Sequence, residues 1–496
     1  MELKTTLGVS RTVTEIYTPH SMTEFIERFG ELRSEYSNLN AVSTGRNWGY
    51  GCNAPAESGG LLVELELCNK ISNFEPLHGT VTLEPGVTFS QLADFLKSKG
   101  GEWMSPVHGG GPDCSVLGNA LERGYGITPH SDHFGAVMAL KAILPSGDIY
   151  EGTMTKIGLP RLDRLFKYGV GPYYDGLFSQ SGLGVVTEVT IRLAKRPEFV
   201  EMFYFNVHDE NDLEKIVAAV KKSKQELGSI LGGINVMNRN RCLSMIIDYP
   251  PDLVEARLPI SEEKMQQLSR EYGLTPWLVV GMMYGPKSVV RAARKRLVQN
   301  FGGIEKRKFF YNHGNRKMFS VLGGLLSRFG FPKIKAAIGK VEMAFQLLNG
   351  VPSYETLRLA YWKNQNTELV RQPTLNPSRD GCGLIWYAPL VEMAPQTIRQ
   401  FTKFVDEVSA RFGFNSLITL TTVDDLCFDS TIPILFNRQD PKDVARATAF
   451  YDCLLGEGRK LGFFPYRLNI ESQQKFDFQM DLFGLSTMTK GRYGAR

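Results

Sequence analysis

The 496-residue chain contains no apolar run of the roughly 20 residues that a membrane-spanning helix requires, so no spanning segment is expected. Its opening residues, 1–8, carry no apolar stretch of the secretory kind, and the expected location is the cytoplasm. Cysteine is sparse: Cys52, Cys68, Cys114, Cys242, Cys382, Cys427 and Cys453 form no CxxC pair and no zinc spacing. An odd, scattered set points to free thiols in a reducing compartment rather than to a disulfide framework. The seven histidines also lack metal spacing, with His130 and His133 the one near pair, so no metal site is expected. A dominant charge is missing as well. With 57 basic and 52 acidic residues the net charge is +5, which gives no footing for nucleic acid or a membrane surface. Local basic clusters at 291–296 and 306–308 read as solvated helix faces. Low-complexity tracts are absent. So is a GxGxxG opening a helix after a first strand, which excludes the Rossmann way of binding a dinucleotide.

What the chain does have is glycine, 49 residues of it, concentrated in two informative runs. One is Ser43-Thr44-Gly45-Arg46-Asn47-Trp48-Gly49-Tyr50-Gly51. The other extends from Ser115 through Gly118, Asn119, Glu122, Arg123 and Gly124 to Gly135. Glycine lacks a Cβ and tolerates positive φ, so such runs let backbone N–H groups approach a bulky anion. Two of them, both among predicted strands, suggest a dinucleotide held over a long surface.

The length calls for two or three domains. Up to about Arg196 the pattern is one α/β unit of short elements: a helix from Met22 opened by Ser21, strands near 60–66 and 81–83, an amphipathic helix at 89–99, and strands at 137–144 and 185–193. After Lys195-Arg196-Pro197 the character changes. Strands at 199–207, 277–283, 383–388 and 417–420 alternate with helices at 210–227, after Pro286, and at 395–412. This repeated strand–helix–strand rhythm predicts an α+β cap of ferredoxin-like halves. The loop-rich last residues, from Pro465-Tyr466-Arg467, are expected to return to the first unit.

Residues 43–51, 115–133 and 167–190 (KYGVGPYYDGLFSQSGLGVVTEVT) resemble the vanillyl-alcohol oxidase and p-cresol methylhydroxylase group of FAD enzymes. The similarity continues more thinly through Gly350-Val351-Pro352, residues 381–389, Phe436-Asn437 and Tyr466-Arg467. It implies an α+β protein: a PCMH-type FAD-binding domain of two α/β subdomains (1–197), a ferredoxin-like cap with a large antiparallel sheet (198–462), and a C-terminal segment (463–496). FAD is the implied cofactor. Thr44, Gly45, Arg46, Asn47, Trp48, Gly49 and Gly51 would wrap its pyrophosphate. Ser115, Gly118, Asn119, Glu122, Arg123 and Gly124 would line the flavin, and Gly184, Val185 and Val186 would approach the ADP portion.

Tyr50, Tyr466 and Arg467 match the family's phenol-binding trio. Two hydroxyl donors and a permanent cation can hold a phenolate oxygen in a low-dielectric pocket and lower the phenol's pKa. The phenolate then pushes electron density to the para position, hydride leaves the benzylic carbon for the flavin, and a p-quinone methide results. The protein supplies orientation and electrostatics, the cofactor the redox chemistry. The family also places an acid/base Asp shortly before the Ser-Val-Leu-Gly-Asn run. Here Pro112-Asp113 is present, but the loop His108–Cys114 is longer than the family's, so Asp113 is the candidate and His108 its competitor. The position at which relatives tether the flavin through His or Tyr falls on Ser430, beside Asp429. The usual tether is therefore expected to be absent, with Asp429, Cys427 and Cys114 left as unusual ones. The tail also departs: 476–484 runs straight into 486–493, a shortened end.

The reading is an FAD-dependent oxidase or dehydrogenase acting on a 4-alkylphenol or 4-hydroxybenzyl alcohol. An FAD enzyme of a non-phenolic alcohol or natural-product intermediate is the alternative, and a flavin-binding protein whose redox role has lapsed is a third. The expected partners are a small aromatic substrate, an acceptor (oxygen, a quinone or a c-type cytochrome) and further copies of the chain, in a homodimer or higher homo-oligomer.

Overall fold

A computed structural model describes residues 1–304, 307–328, 332–364, 366 and 368–476. The expected shortened tail beyond Phe476, and Lys306 of the basic cluster, lie outside them. The first unit is two small α/β layers. In one, parallel strands Glu15–Tyr17, Leu61–Glu64 and Leu39–Val42 form a sheet with Leu61–Glu64 central. The Met22–Glu35 helix covers it because Met22, Phe25, Phe29 and Leu32 recur at helical spacing on one buried face. Ser21 starts that helix by accepting from the Glu24 N–H.

The second layer is an antiparallel sheet in the order Ile149–Tyr150, Val137–Ile143, Val185–Arg192, Thr80–Leu83, Ile71–Glu75. Its β-branched central strands bury against the Phe89–Ser98 helix and the short Val116–Leu121 helix. A reciprocal capping box, Thr88 with Gln91, opens the first of these helices.

The cap is built twice from one plan. Phe199–Val207, the helix Leu213–Leu227, Leu231–Asn238, Trp277–Gly285, the helix Lys287–Asn300 and Arg307–Asn312 form a βαββαβ half. Pro389–Glu392, the helix Pro395–Phe412, Thr419–Thr422, Cys427–Asn437, the helix Pro441–Lys460 and Phe464–Pro465 form the other. In each half the last strand borders the first, and the third lies between first and second, which is the ferredoxin-like order. The halves join where Leu231–Asn238 pairs with Thr419–Thr422, making one long antiparallel sheet. Four helices bury one face of it, in a core that holds Phe401, Phe450, Ile434 and Phe436. The other face turns toward the first unit: the Gly233 Cα hydrogens point at Ile127 and the Gly126 carbonyl.

The sequence expected the first cap half to carry two strands; Leu231–Asn238 and Arg307–Asn312 complete it. Leu231–Asn238 begins with paired glycines, which weaken a strand signal. The basic segment from Lys287 is a helix, as expected, and Arg294 and Arg296 on it pair with Glu201 and Glu226.

Candidate active site

The two glycine-rich runs meet across a cleft of about 350 Å³. Ser43, Thr44, Gly45, Arg46 and Asn47 form one wall; Cys114, Ser115, Gly118, Asn119 and Glu122 form the other, with Cys52 and Arg467 at its end. The walls approach so closely that a Cβ on Gly118 would lie 2.5 Å from Ser43 Oγ. Ser115 fixes the second wall by accepting from the Gly118 N–H and donating to the Pro85 carbonyl at 2.6 Å. Gly49 needs its φ of +85°, and a side chain there would collide with the cap's Trp386, whose N–H donates to the Gly49 carbonyl. The loop and the cap are thereby locked together at this point.

Tyr50, Tyr466 and Arg467 come together although the chain separates them widely. Pairing of the Ile470 N–H with the Tyr50 carbonyl at 3.0 Å brings the C-terminal segment onto the first loop. The Arg467 guanidinium lies over the Tyr50 ring, 4.2 Å from its centre. The two tyrosine hydroxyls interact with one another, and burial raises both above the ordinary phenolic range, so both remain neutral O–H groups at pH 7. Arg467 pairs with Glu122 at 2.9 Å and donates to Cys52 Sγ at 2.8 Å. Burial works against its charge, but Cys52, Glu122 and the two tyrosines outweigh that and hold it protonated. The trio is therefore a quartet with Glu122, which compensates the arginine's charge.

The loop before Ser115 assigns its two acid/base candidates different places. Asp113 accepts from the cap's Tyr354 hydroxyl at 2.7 Å and stands outside the cleft wall that its neighbour Cys114 lines. His108 lies inside the fold of this loop, buried, with its Nε2 unpartnered. Its Nδ1 accepts from the Gly110 N–H at 2.9 Å, and burial, with His133 and Arg467 nearby, lowers its pKa to about 3. With that lone pair engaged and the ring packed on Phe89, the neutral imidazole holds the loop in shape.

The remaining expected residues divide by position. Trp48 is buried in a core cluster with the cap residues Leu384 and Leu435, and Gly51 takes φ +81° just before the Cys52 wall. Arg123, itself at φ +53°, turns its guanidinium to Ser179 Oγ, away from the cleft. Gly124 packs on the Asn119 amide. Gly184, Val185 and Val186 lie at the start of the Val185–Arg192 strand, where Gly184 passes close to the Ile143 carbonyl. Asp429 is on the cap strand Cys427–Asn437, buried, with Oδ1 unpartnered and its pKa raised to about 7 by burial.

Three participants are not among the expected residues. Tyr125 stacks edge-on against Tyr466 at 5.6 Å. Its flanking glycines, Gly124 and Gly126, repeat the Gly-Tyr-Gly pattern around Tyr50 and are the signal that identifies it. Gln180, at φ +50°, donates to the carbonyls of both Glu122 and Tyr466 at 3.1 Å, tying flavin wall to tail. Cys52 follows Gly51 directly, with nothing in its spacing to mark it.

The cleft suits a flavin dinucleotide. Its walls offer the backbone of a glycine-rich turn, the Arg46 side chain, and a Thr44 hydroxyl that is shut off from water without a partner. Comparison with known proteins agrees. Residues 14–153 match the family model described as an FAD binding domain. The chain is 28% identical to the 1'-carboxy-chondrochloren decarboxylase of Chondromyces crocatus over 97% of its own length and 88% of that protein's. It is 25% identical to the 4-cresol dehydrogenase [hydroxylating] flavoprotein subunit of Pseudomonas putida, over 88% of this chain and 76% of the other. The crystal structure of p-cresol methylhydroxylase with substrate bound superposes with a TM-score of 0.77 at 22% identity, covering 93% and 82% of the two chains. Residues 14–153 form an FAD-binding domain, FAD is the cofactor, and over most of its length the chain is similar to the 4-cresol dehydrogenase flavoprotein and shares the fold of p-cresol methylhydroxylase.

Proposed function

We propose that this oxidoreductase takes a para-substituted phenol and removes hydride from its benzylic carbon by way of a p-quinone methide. The observation that carries the reading is the buried cluster at the end of the cleft: two neutral tyrosine hydroxyls beside the Arg467 cation. FAD supplies the two-electron acceptor. The chain's residues do the rest. Tyr50 and Tyr466 donate hydrogen bonds to the ring oxygen, and Arg467 favours its ionised form. Because Glu122 already offsets the arginine's charge, the hydroxyl donors carry much of that task. Burial excludes water from the developing charge and strengthens each of these interactions. Thr44–Asn47 and Ser115–Asn119, which line the cleft, would hold the cofactor.

The test is anaerobic mixing with a panel of 4-alkylphenols and 4-hydroxybenzyl alcohols. Bleaching of the flavin absorption is the expected result, and Tyr50→Phe should slow it on the order of 100-fold with flavin retained. Equal rates in the wild type and Tyr50→Phe, or no bleaching across the panel, would refute the phenol. A second reading, a carboxylated aromatic that loses CO2 as it is oxidised, is favoured by the similarity to a decarboxylase along 97% of the chain. Release of CO2 from a 3-(4-hydroxyphenyl)propanoate-type substrate separates the two. Oxygen uptake, set against reduction of a quinone or a c-type cytochrome, identifies the acceptor. Sedimentation tests the expected homodimer.

A further inference from the structure

Asp429 stands where a sheet seldom keeps an aspartate. Backbone pairing aligns Tyr204, Val280, Asn235, Thr421, Asp429 and Leu390 in one row across the cap sheet. Their chain neighbours Val236, Leu420, Phe428 and Val391 enter the core under the helices. Side chains alternate along a strand, so the row lies on the opposite face, the one turned to the flavin-binding unit. Within it the Thr421 hydroxyl donates to Asn235 Oδ1 at 2.8 Å, while Asp429, 6% exposed, leaves Oδ1 without a partner. A buried carboxyl so placed calls for a proton.

The ionisable groups that face it come from three separate elements: Tyr50 on the glycine-rich loop, Tyr125 after the Val116–Leu121 helix, and Tyr466 on the C-terminal segment. Cys427 is on its own strand. Leu390, the pairing partner of Asp429, borders the Phe464–Pro465 strand that leads directly into Tyr466, and the charge of Asp429 contributes to raising each of the four groups. Arg467, the nearby cation, is committed to Glu122.

We propose that Asp429 accepts the phenolic proton of the substrate through the Tyr50–Tyr466 hydroxyl pair, so that the ring binds as phenolate without any change in the site's charge. This rests on the phenol reading above. The substrate O–H bond breaks and an Asp429 O–H bond forms, each intervening hydroxyl receiving one proton and passing one on. After the ring has lost hydride, its oxygen takes the proton back from Asp429 as water adds at the benzylic carbon, and the remaining proton of that water leaves to solvent. Burial sets the carboxyl near pH 7, where it can both take and return a proton.

The probe is 4-tert-butylphenol, which has no benzylic hydrogen to lose, titrated into the FAD-loaded protein at pH 8. The wild type should show the phenolate absorption with no proton released to buffer, measured calorimetrically in buffers of different ionisation enthalpy. Asp429→Asn should either bind neutral phenol or release one proton per phenol bound. With 4-ethylphenol, kcat/KM of the wild type should fall tenfold per unit as pH drops below about 7. In Asp429→Asn that limb should vanish, at a level on the order of 100-fold lower. A variant that binds phenolate without proton release, or keeps the limb, overturns the assignment while leaving the phenol reading intact. One proton released by the wild type overturns it too, and decides the matter even if the variant loses its flavin. Failure of the wild type to bind 4-tert-butylphenol removes the phenol reading, and this proposal with it.

Discussion

The two walls of the site are built on opposite principles. The flavin-binding wall is made of contiguous chain: Ser43–Gly51 and Ser115–Gly124 shape it through backbone conformation, with glycines at +61° and +85° and a Ser115 cap. The cap wall is made of side chains from strands far apart in sequence. Asn235, Thr421 and Asp429 meet only because three strands pair in one register. The first wall tolerates change wherever backbone geometry survives. The second depends on single side chains, and a one-residue slip of register would turn Asp429 into the core.

The comparison breaks first where the flavin-binding wall is joined by charge to the C-terminal segment. Glu122 and Arg467 are 5% and 2% exposed, so removing either strands the other. Glu122→Leu is expected to destabilise the protein by about 3–5 kcal/mol, seen as a loss of holoprotein stability in urea. An unchanged midpoint would mean that the pair is dispensable.

Asp429 offers the next largest effect, and a sign. Its folded pKa, raised to about 7, exceeds the unfolded value of about 3.9. The folded state thus binds the proton more tightly; the stability this contributes is full below about pH 4 and is lost as pH rises through 7. The wild type should therefore lose on the order of 3 kcal/mol across that window relative to Asp429→Asn. Parallel pH–stability curves would contradict the buried, unpartnered carboxyl.

Gly49→Ala probes the contact between loop and cap. At φ +85° its Cβ would meet the Trp386 ring at 2.3 Å, and a cost of about 2 kcal/mol with weakened flavin retention is expected. The smallest effect should come from a site remote from both walls. Ser21→Ala removes one helix cap and should cost about 1 kcal/mol in thermal unfolding with activity untouched. A larger loss of activity than of stability would show that the first layer is coupled to the site.

The unequal construction explains what could be read in advance. The elements of the first unit follow from apolar periodicity and caps, and Met22–Glu35, Phe89–Ser98 and Val137–Ile143 lie within a few residues of their expected limits. The cleft-lining glycines were legible because glycine at positive φ leaves a local trace. In the cap, Leu231–Asn238 was hidden by its glycines, whereas the Pro441–Lys460 helix was legible from Ala447, Phe450, Tyr451, Leu454 and Leu455 at helical spacing and yet was not among the expected elements. His108 looked suited to proton transfer by residue type; only the fold shows its lone pair given to Gly110. Asp429 was legible as a neighbour of the tether position but not as an acid, since a carboxyl's pKa depends on burial that no short stretch of sequence records.

The sequence by itself determined the α+β class and the glycine-built cradle, because backbone conformation and residue chemistry act over short stretches, whereas Tyr50, Tyr466 and Arg467 were singled out by the family resemblance. Only the tertiary structure decided that Glu122 compensates Arg467, that Tyr125 joins the tyrosines, and that Asp429 is buried with an unpartnered oxygen. Those facts are distances and burial between elements remote in the chain, and electrostatics in a dry interior depends on both.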